Sequence, residues 1–175
     1  MKILYINATI DENSRTKRLA DYLLSNFSNE DIKEITLSKE NIQPLTSETL
    51  ALRESYLNDG NYDEPIFHYA KEYSEADGIV IAAPYWDLSF PSYLKLYIEA
   101  INVPGVVFSY SEDGKPIGLC NAKQLIYITT SGGKIHEDDF GYGYIKTLAK
   151  KFHGIPHVEK IEAENLDIIG ANVEE

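Results

Sequence analysis

Apolar positions along the chain switch repeatedly between short continuous or alternating runs and runs at helical spacing. Lys2-Ile3-Leu4-Tyr5-Ile6 is rich in strand formers and reads as a first strand. From Ser14 to Phe27, Leu19, Tyr22, Leu23 and Phe27 recur at helical intervals, with Ser14 placed to cap the helix. Ile32, Ile35 and Leu37 alternate with charges and predict a second strand. Ser47 to Leu57 and Pro65 to Ala76 read as helices separated by Gly60-Asn61. Gly78 to Ala83 is a continuous apolar run, the pattern of a strand covered on both faces, and Pro84 ends it. Pro91 opens a helix with Leu94, Tyr97, Ile98 and Ile101 on its apolar face. Residues 103–120 read as an irregular excursion with a turn at Glu112-Asp113-Gly114. Gln124 to Thr129 predicts a strand, Ile145 to Phe152 a helix, and His157 to Ile161 a last strand before an acidic, loose tail.

Alternation of this kind predicts an α/β fold, a doubly wound five-stranded parallel sheet with helices on both faces and right-handed crossovers. No internal repeat or linker divides the 175 residues, so a single domain over 1–175 is expected. The net charge of −12 argues against a nucleic-acid partner, which needs a basic surface. One cysteine, Cys120, excludes an intrachain disulfide and a multi-cysteine zinc site, and fits a reducing compartment. No metal is expected. Ile3 to Ile6 is far too short for a signal peptide or a membrane span, so the expected location is the cytoplasm.

In a doubly wound sheet, ligands bind beyond the carboxyl ends of the strands, where strand order reverses. Three loops qualify, and each has unusual content. The first ends in Ser14-Arg15-Thr16 at a helix start, where free amides, hydroxyls and a guanidinium suit a phosphate. An ordinary helix cap with a solvated arginine has the same residues. The second loop, Pro84-Tyr85-Trp86-Asp87-Leu88, is aromatic and could wall a flat conjugated ring or simply plug the core. The third, Thr130-Ser131-Gly132-Gly133 followed by His136, allows close approach to backbone donors, although Gly-Gly also makes plain turns. Neither a Walker motif nor GxGxxG is present. Together the loops point to a ligand with one phosphate and one flat ring, which is the shape of FMN.

These residues also carry a resemblance. Ala83-Pro84-Tyr85-Trp86-Asp87 with Pro91-Ser92-Tyr93-Leu94-Lys95 is similar to the A-P-x-[YW]-[NDH] loop and following helix of the flavodoxin-like NAD(P)H:quinone oxidoreductases, which include the FMN-dependent azoreductases. Thr130-Ser131-Gly132-Gly133 resembles the [ST]-x-G-G loop of that family, and Ser14-Arg15-Thr16 its phosphate loop. The resemblance implies a flavodoxin-like fold and FMN as cofactor. Ser14, Arg15 and Thr16 would hold the phosphate, and Pro84, Tyr85, Trp86, Asp87 and Leu88 would run along the isoalloxazine. Thr130, Ser131, Gly132 and Gly133 would meet its pyrimidine edge. It further implies NAD(P)H as co-substrate, a ping-pong cycle, a quinone-like acceptor with azo or nitro compounds as further candidates, and a homodimer. His136 is the candidate catalytic residue. Many azoreductases carry a hydroxyl residue where this chain has Ala8, with Thr9 adjacent. The Asp87-Leu88 pair also departs from the common azoreductase version. A flavodoxin-type electron carrier and an NAD(P)H-dependent FMN reductase are alternatives on the same fold.

Overall fold

A computed structural model describes residues 1–27 and 30–168. Its strands and helices run β1 (Lys2–Asn7), α1 (Arg15–Leu24), β2 (Asp31–Thr36), α2 (Ser47–Asn58), α3 (His68–Glu75), β3 (Gly78–Ala82), α4 (Ser92–Ile101), β4 (Phe108–Tyr110), β5 (Pro116–Gly118), β6 (Gln124–Thr130), α5 (Tyr142–Leu148) and β7 (His157–Ala163). Five strands form one parallel sheet in the order β2-β1-β3-β6-β7. This is the doubly wound arrangement, with its reversal of strand order between β1 and β3.

Strand side chains alternate between faces, and each face finds its own helices. Leu4, Ile6, Ile79, Ile81, Leu125 and Tyr127 pack with Ala70 and Tyr73 of α3, Leu94, Tyr97, Ile98 and Ile101 of α4, and Ile145 of α5. Ile3, Tyr5, Val80, Ala82 and Ile128 pack with Ala20, Leu19 and Leu23 of α1. Helices therefore cover both faces, as the continuous apolar strands predict. Nearly every side chain of β1 and β3 is buried, which explains why these strands do not alternate apolar with polar.

Most boundaries match the sequence pattern, and three regions differ. Residues 103–120 contain a hairpin rather than only an irregular excursion: β4 pairs antiparallel with β5, and Gly114 at φ +77° makes the turn. Three-residue strands are too short to show a period. The helix beginning at α5 ends in a π-helical turn, Ala149–His153, before Gly154 at φ +76°. The segment after β7 is not loose as far as residue 168. It folds back on the loop after β6 through amides of Asn165, Leu166 and Asp167. The rest of the tail, expected to be loose, lies outside the described residues.

Candidate functional site

The three loops selected by the switch-point rule meet above the carboxyl ends of β1, β3 and β6. Tyr85 N–H donates to the Thr130 carbonyl at 3.0 Å, which ties the second loop to the third. The Thr16 and Thr130 hydroxyls lie 2.7 Å apart and tie the first loop to the third. Between the loops is an open cleft of about 390 Å³.

Ser14, Arg15 and Thr16 line one end of the cleft, with Ile10, Asp11 and Asn13. Ser14 caps α1, its hydroxyl accepting from Lys17 N–H at 3.4 Å, a long bond. The first-turn amides of α1 have no acceptor within the helix and carry the positive end of its dipole. Arg15 adds a full charge beside them and is half-buried. Thr16 is fully buried, and its hydroxyl is committed to Thr130. That contact braces the first loop against the third. Thr9 is likewise turned inward, where its hydroxyl donates to Asn7 Oδ1 at 2.7 Å. It does not replace the hydroxyl missing at Ala8.

Pro84, Tyr85 and Trp86 form the next stretch of wall. Buried Tyr85 Oη has no hydrogen-bond partner among the described residues. Asp87 and Leu88 then adopt positive φ of 49° and 65°. Trp86 and Ser89 close this turn with two main-chain bonds, Trp86 N–H to the Ser89 carbonyl at 3.2 Å and Ser89 N–H to the Trp86 carbonyl at 2.7 Å. Two successive left-handed residues between paired residues make a type I′ turn. Glycine and asparagine normally fill such positions, so a leucine there stores strain of about 1–3 kcal/mol. The turn holds Trp86 and Leu88 exposed at the rim.

Thr130, Ser131 and Gly132 complete the cleft. Nine of the sequence-predicted residues thus line one cavity: Ser14, Arg15, Thr16, Pro84, Tyr85, Trp86, Thr130, Ser131 and Gly132. Asp87, Leu88 and Gly133 sit outside its lining. His136 is exposed and lies in a neighbouring cleft of about 360 Å³ with Asp139, Tyr142, Lys146 and Lys160. There Lys160 pairs with Glu162 at 2.6 Å and stands 5.3 Å from the Tyr142 ring centroid. Opposite charge from Glu162 and Asp139 outweighs burial and raises the Lys160 ammonium pKa.

Sequence reasoning misses Asp167, which reaches the cleft from the far end of the chain. Its carboxylate lies 2.7 Å from Arg15 Nη1. Nothing local marks an aspartate in an acidic tail as a cleft residue.

Cys120 is half-buried with its thiol 3.6 Å from the Val107 carbonyl, and burial pushes its pKa up to about 12. It stays a thiol at neutral pH and is a poor nucleophile. Among the described residues no group of three or more His, Cys, Asp or Glu could hold a metal ion. No described helix is long and apolar enough to cross a membrane.

A family model described as flavodoxin-like fold matches residues 1–174. The chain is 39% identical over 184 residues to FMN-dependent NADH:quinone oxidoreductase 2 of Clostridium acetobutylicum, covering 99% of this chain and 90% of that one. It is 37% identical over 182 residues to an FMN-dependent NADH:quinone oxidoreductase of Clostridium perfringens, covering 99% and 91%. Among solved structures, an azoreductase of Bacillus anthracis superposes with a TM-score of 0.82 over 95% of this chain and 88% of that one, at 22% identity. At that identity the likeness concerns the fold.

Proposed function

Because this chain belongs to the flavodoxin-like family of FMN-dependent NADH:quinone oxidoreductases, we propose that it binds FMN in the cleft and transfers hydride from NADH to a quinone. The observation that carries this reading is the joining of three loops into one cleft, with a cationic helix start at one end and an aromatic wall at the other.

The residues present fit the cofactor. At the phosphate end, Arg15 already holds an anion, the Asp167 carboxylate. Along the wall, buried Tyr85 Oη lacks a partner and has a donor to offer. At the third loop, Gly132 has no side chain of its own, and only the exposed Asp167 carboxylate lies where a ring edge would approach. Arg15 and the first-turn amides of α1 would hold the phosphate. Thr16 fixes their position through its buried bond to Thr130. Trp86 and the strained Asp87-Leu88 turn would support the ring, and amides from Thr130 to Gly133 would face its pyrimidine edge. Donors aimed there favour negative charge on that edge. When bound, FMN supplies the two-electron chemistry, accepting hydride from NADH and passing it on. The exposed rim at Trp86 and Leu88 leaves room for nicotinamide and acceptor to stack in turn, the arrangement a ping-pong cycle needs. His136 lines the adjoining cleft, and in this reading it would meet the acceptor rather than the flavin phosphate.

The acceptor class follows the curated relatives, which are named for quinones, and azo or nitro compounds are secondary candidates. We further propose a single flavodoxin-like domain acting in the cytoplasm as a homodimer.

Incubation with FMN, desalting and anaerobic NADH tests this reading. The protein should stay yellow, bleach with NADH and recover colour with a benzoquinone. Retained colour that NADH does not bleach would indicate an electron carrier. Colour lost on desalting would indicate an FMN reductase or a flavin-free protein.

A further inference from the structure

After β7 the chain reverses at Asn165, which has φ +62° and accepts from Ile168 N–H at 3.2 Å. Three successive amides then dock on the third loop. Asn165 N–H donates to the Gly133 carbonyl at 3.0 Å, Leu166 N–H to Ser131 at 3.2 Å and Asp167 N–H to Gly132 at 3.0 Å. Glu164 adds a further tie, its Oε2 accepting from Ile135 N–H at 2.8 Å. This strap delivers the Asp167 carboxylate into the cleft. Oδ1 meets Arg15 Nη1 at 2.7 Å. Oδ2 lies so close over Gly132 that a methyl group added there would collide with it.

We propose that the 164–168 strap is an intramolecular competitor for the cofactor phosphate, with Asp167 holding Arg15 until FMN displaces it. The inference rests on the FMN reading above. Arg15 has one guanidinium fork, and a carboxylate and a phosphate cannot both take its best geometry. A carboxylate left in place also repels the more highly charged phosphate. The Asp167 side chain is 70% exposed, so it can leave Arg15 for water at little cost. FMN therefore wins the exchange, but with lower affinity than its donors alone would give. The apparent dissociation constant is the intrinsic one divided by the fraction of chains whose Arg15 is free.

The test is FMN binding, read by quenching of flavin fluorescence, in the full chain and in Asp167→Asn, Arg15→Ala and the double variant. Riboflavin, which lacks the phosphate, is titrated beside it. Asp167→Asn should tighten FMN on the order of tenfold, from the lost ion pair and the lost repulsion. It should leave riboflavin unchanged, and its benefit should shrink when Arg15 is also replaced. Hydrogen exchange at Leu166 and Asp167 should speed up when FMN saturates the wild-type chain. An unchanged or weaker FMN constant in Asp167→Asn, or equal tightening of riboflavin, would overturn the competition while leaving flavin binding intact; a weaker constant would make Asp167 the residue that orients Arg15. If no form binds either flavin, the FMN reading itself fails and the competition fails with it.

Discussion

Leu88 shows most sharply how single residues carry both cost and use in this molecule. A β-carbon at φ 65° is strained, and nothing in the neighbouring sequence relieves it. Glycine at this position should stabilise the fold by about 1 kcal/mol. It should also remove an apolar rim and loosen the turn, so quinone turnover should fall as the urea midpoint rises, the usual trade between stability and a strained site. Arg15 makes the opposite kind of contribution, since it adds nothing to the core. Arg15→Ala should weaken FMN by about 2 kcal/mol, some thirtyfold, with an unchanged melting curve for the apoprotein; equal affinity in the two forms would remove Arg15 from the phosphate site. His153 is a third case. It is 1% exposed, with Nε2 2.9 Å from Asn102 Oδ1 and Nδ1 3.0 Å from Tyr73 Oη, and burial lowers its pKa to about 4. The folded state thus resists a proton that the unfolded chain accepts near pH 6.5. Stability from this residue is complete above pH 6.5 and is lost as pH falls towards 4, at a slope approaching 1.4 kcal/mol per unit. Urea unfolding at pH 7 and pH 5 should show that loss in the wild type and less of it in His153→Gln.

At the scale of elements, the loops that build the cleft were legible because each follows a strand whose apolar run is unmistakable. Pro84 closes β3 and Gly132-Gly133 follow β6, so the sequence itself marks where chemistry can sit. Pairings across the chain were not legible. Thr16 looks like a phosphate donor at a helix start, and its buried hydroxyl also bonds Thr130, a partner 114 positions away. The strap was hidden for the same reason: its ladder of amides to residues 131–133 leaves no local period. The β4–β5 hairpin is another such element. Its Gly118 lies against the backbone of His153 and Gly154, where a β-carbon would clash with main-chain atoms that cannot swing aside. Gly118→Ala should therefore push the hairpin off the π-helical turn and destabilise the protein by about 1–3 kcal/mol, visible as a lower melting temperature. A neutral effect would mean that the hairpin is only loosely docked.

For the whole molecule, the exposed apolar rim and the charge pull on assembly in opposite directions. Two copies each bearing −12 repel, so any self-association must rest on apolar contact or local charge complementarity. The cleft rim supplies apolar surface. Trp86, Leu88, Phe140 and Tyr144 are all exposed there, Phe140 N–H bonds the Leu88 carbonyl at 3.1 Å, and Phe90 touches Tyr144 with ring centroids 5.9 Å apart. Large apolar side chains gathered at a site mouth are an expected interface, and covering them would also enclose the flavin ring. Sedimentation velocity should therefore give twice the chain mass at micromolar concentration. Added salt should tighten the dimer, because it screens the mutual repulsion while leaving apolar burial in place. Phe140→Glu should place a charge in the contact and raise the dimer dissociation constant at least a hundredfold, about 3 kcal/mol. Because a partner seated there would roof the cleft, that variant should also lose NADH-dependent bleaching in proportion to its monomer fraction. Full activity from a monomeric Phe140→Glu would show instead that one chain completes the site by itself and that the exposed aromatics serve the passing substrates.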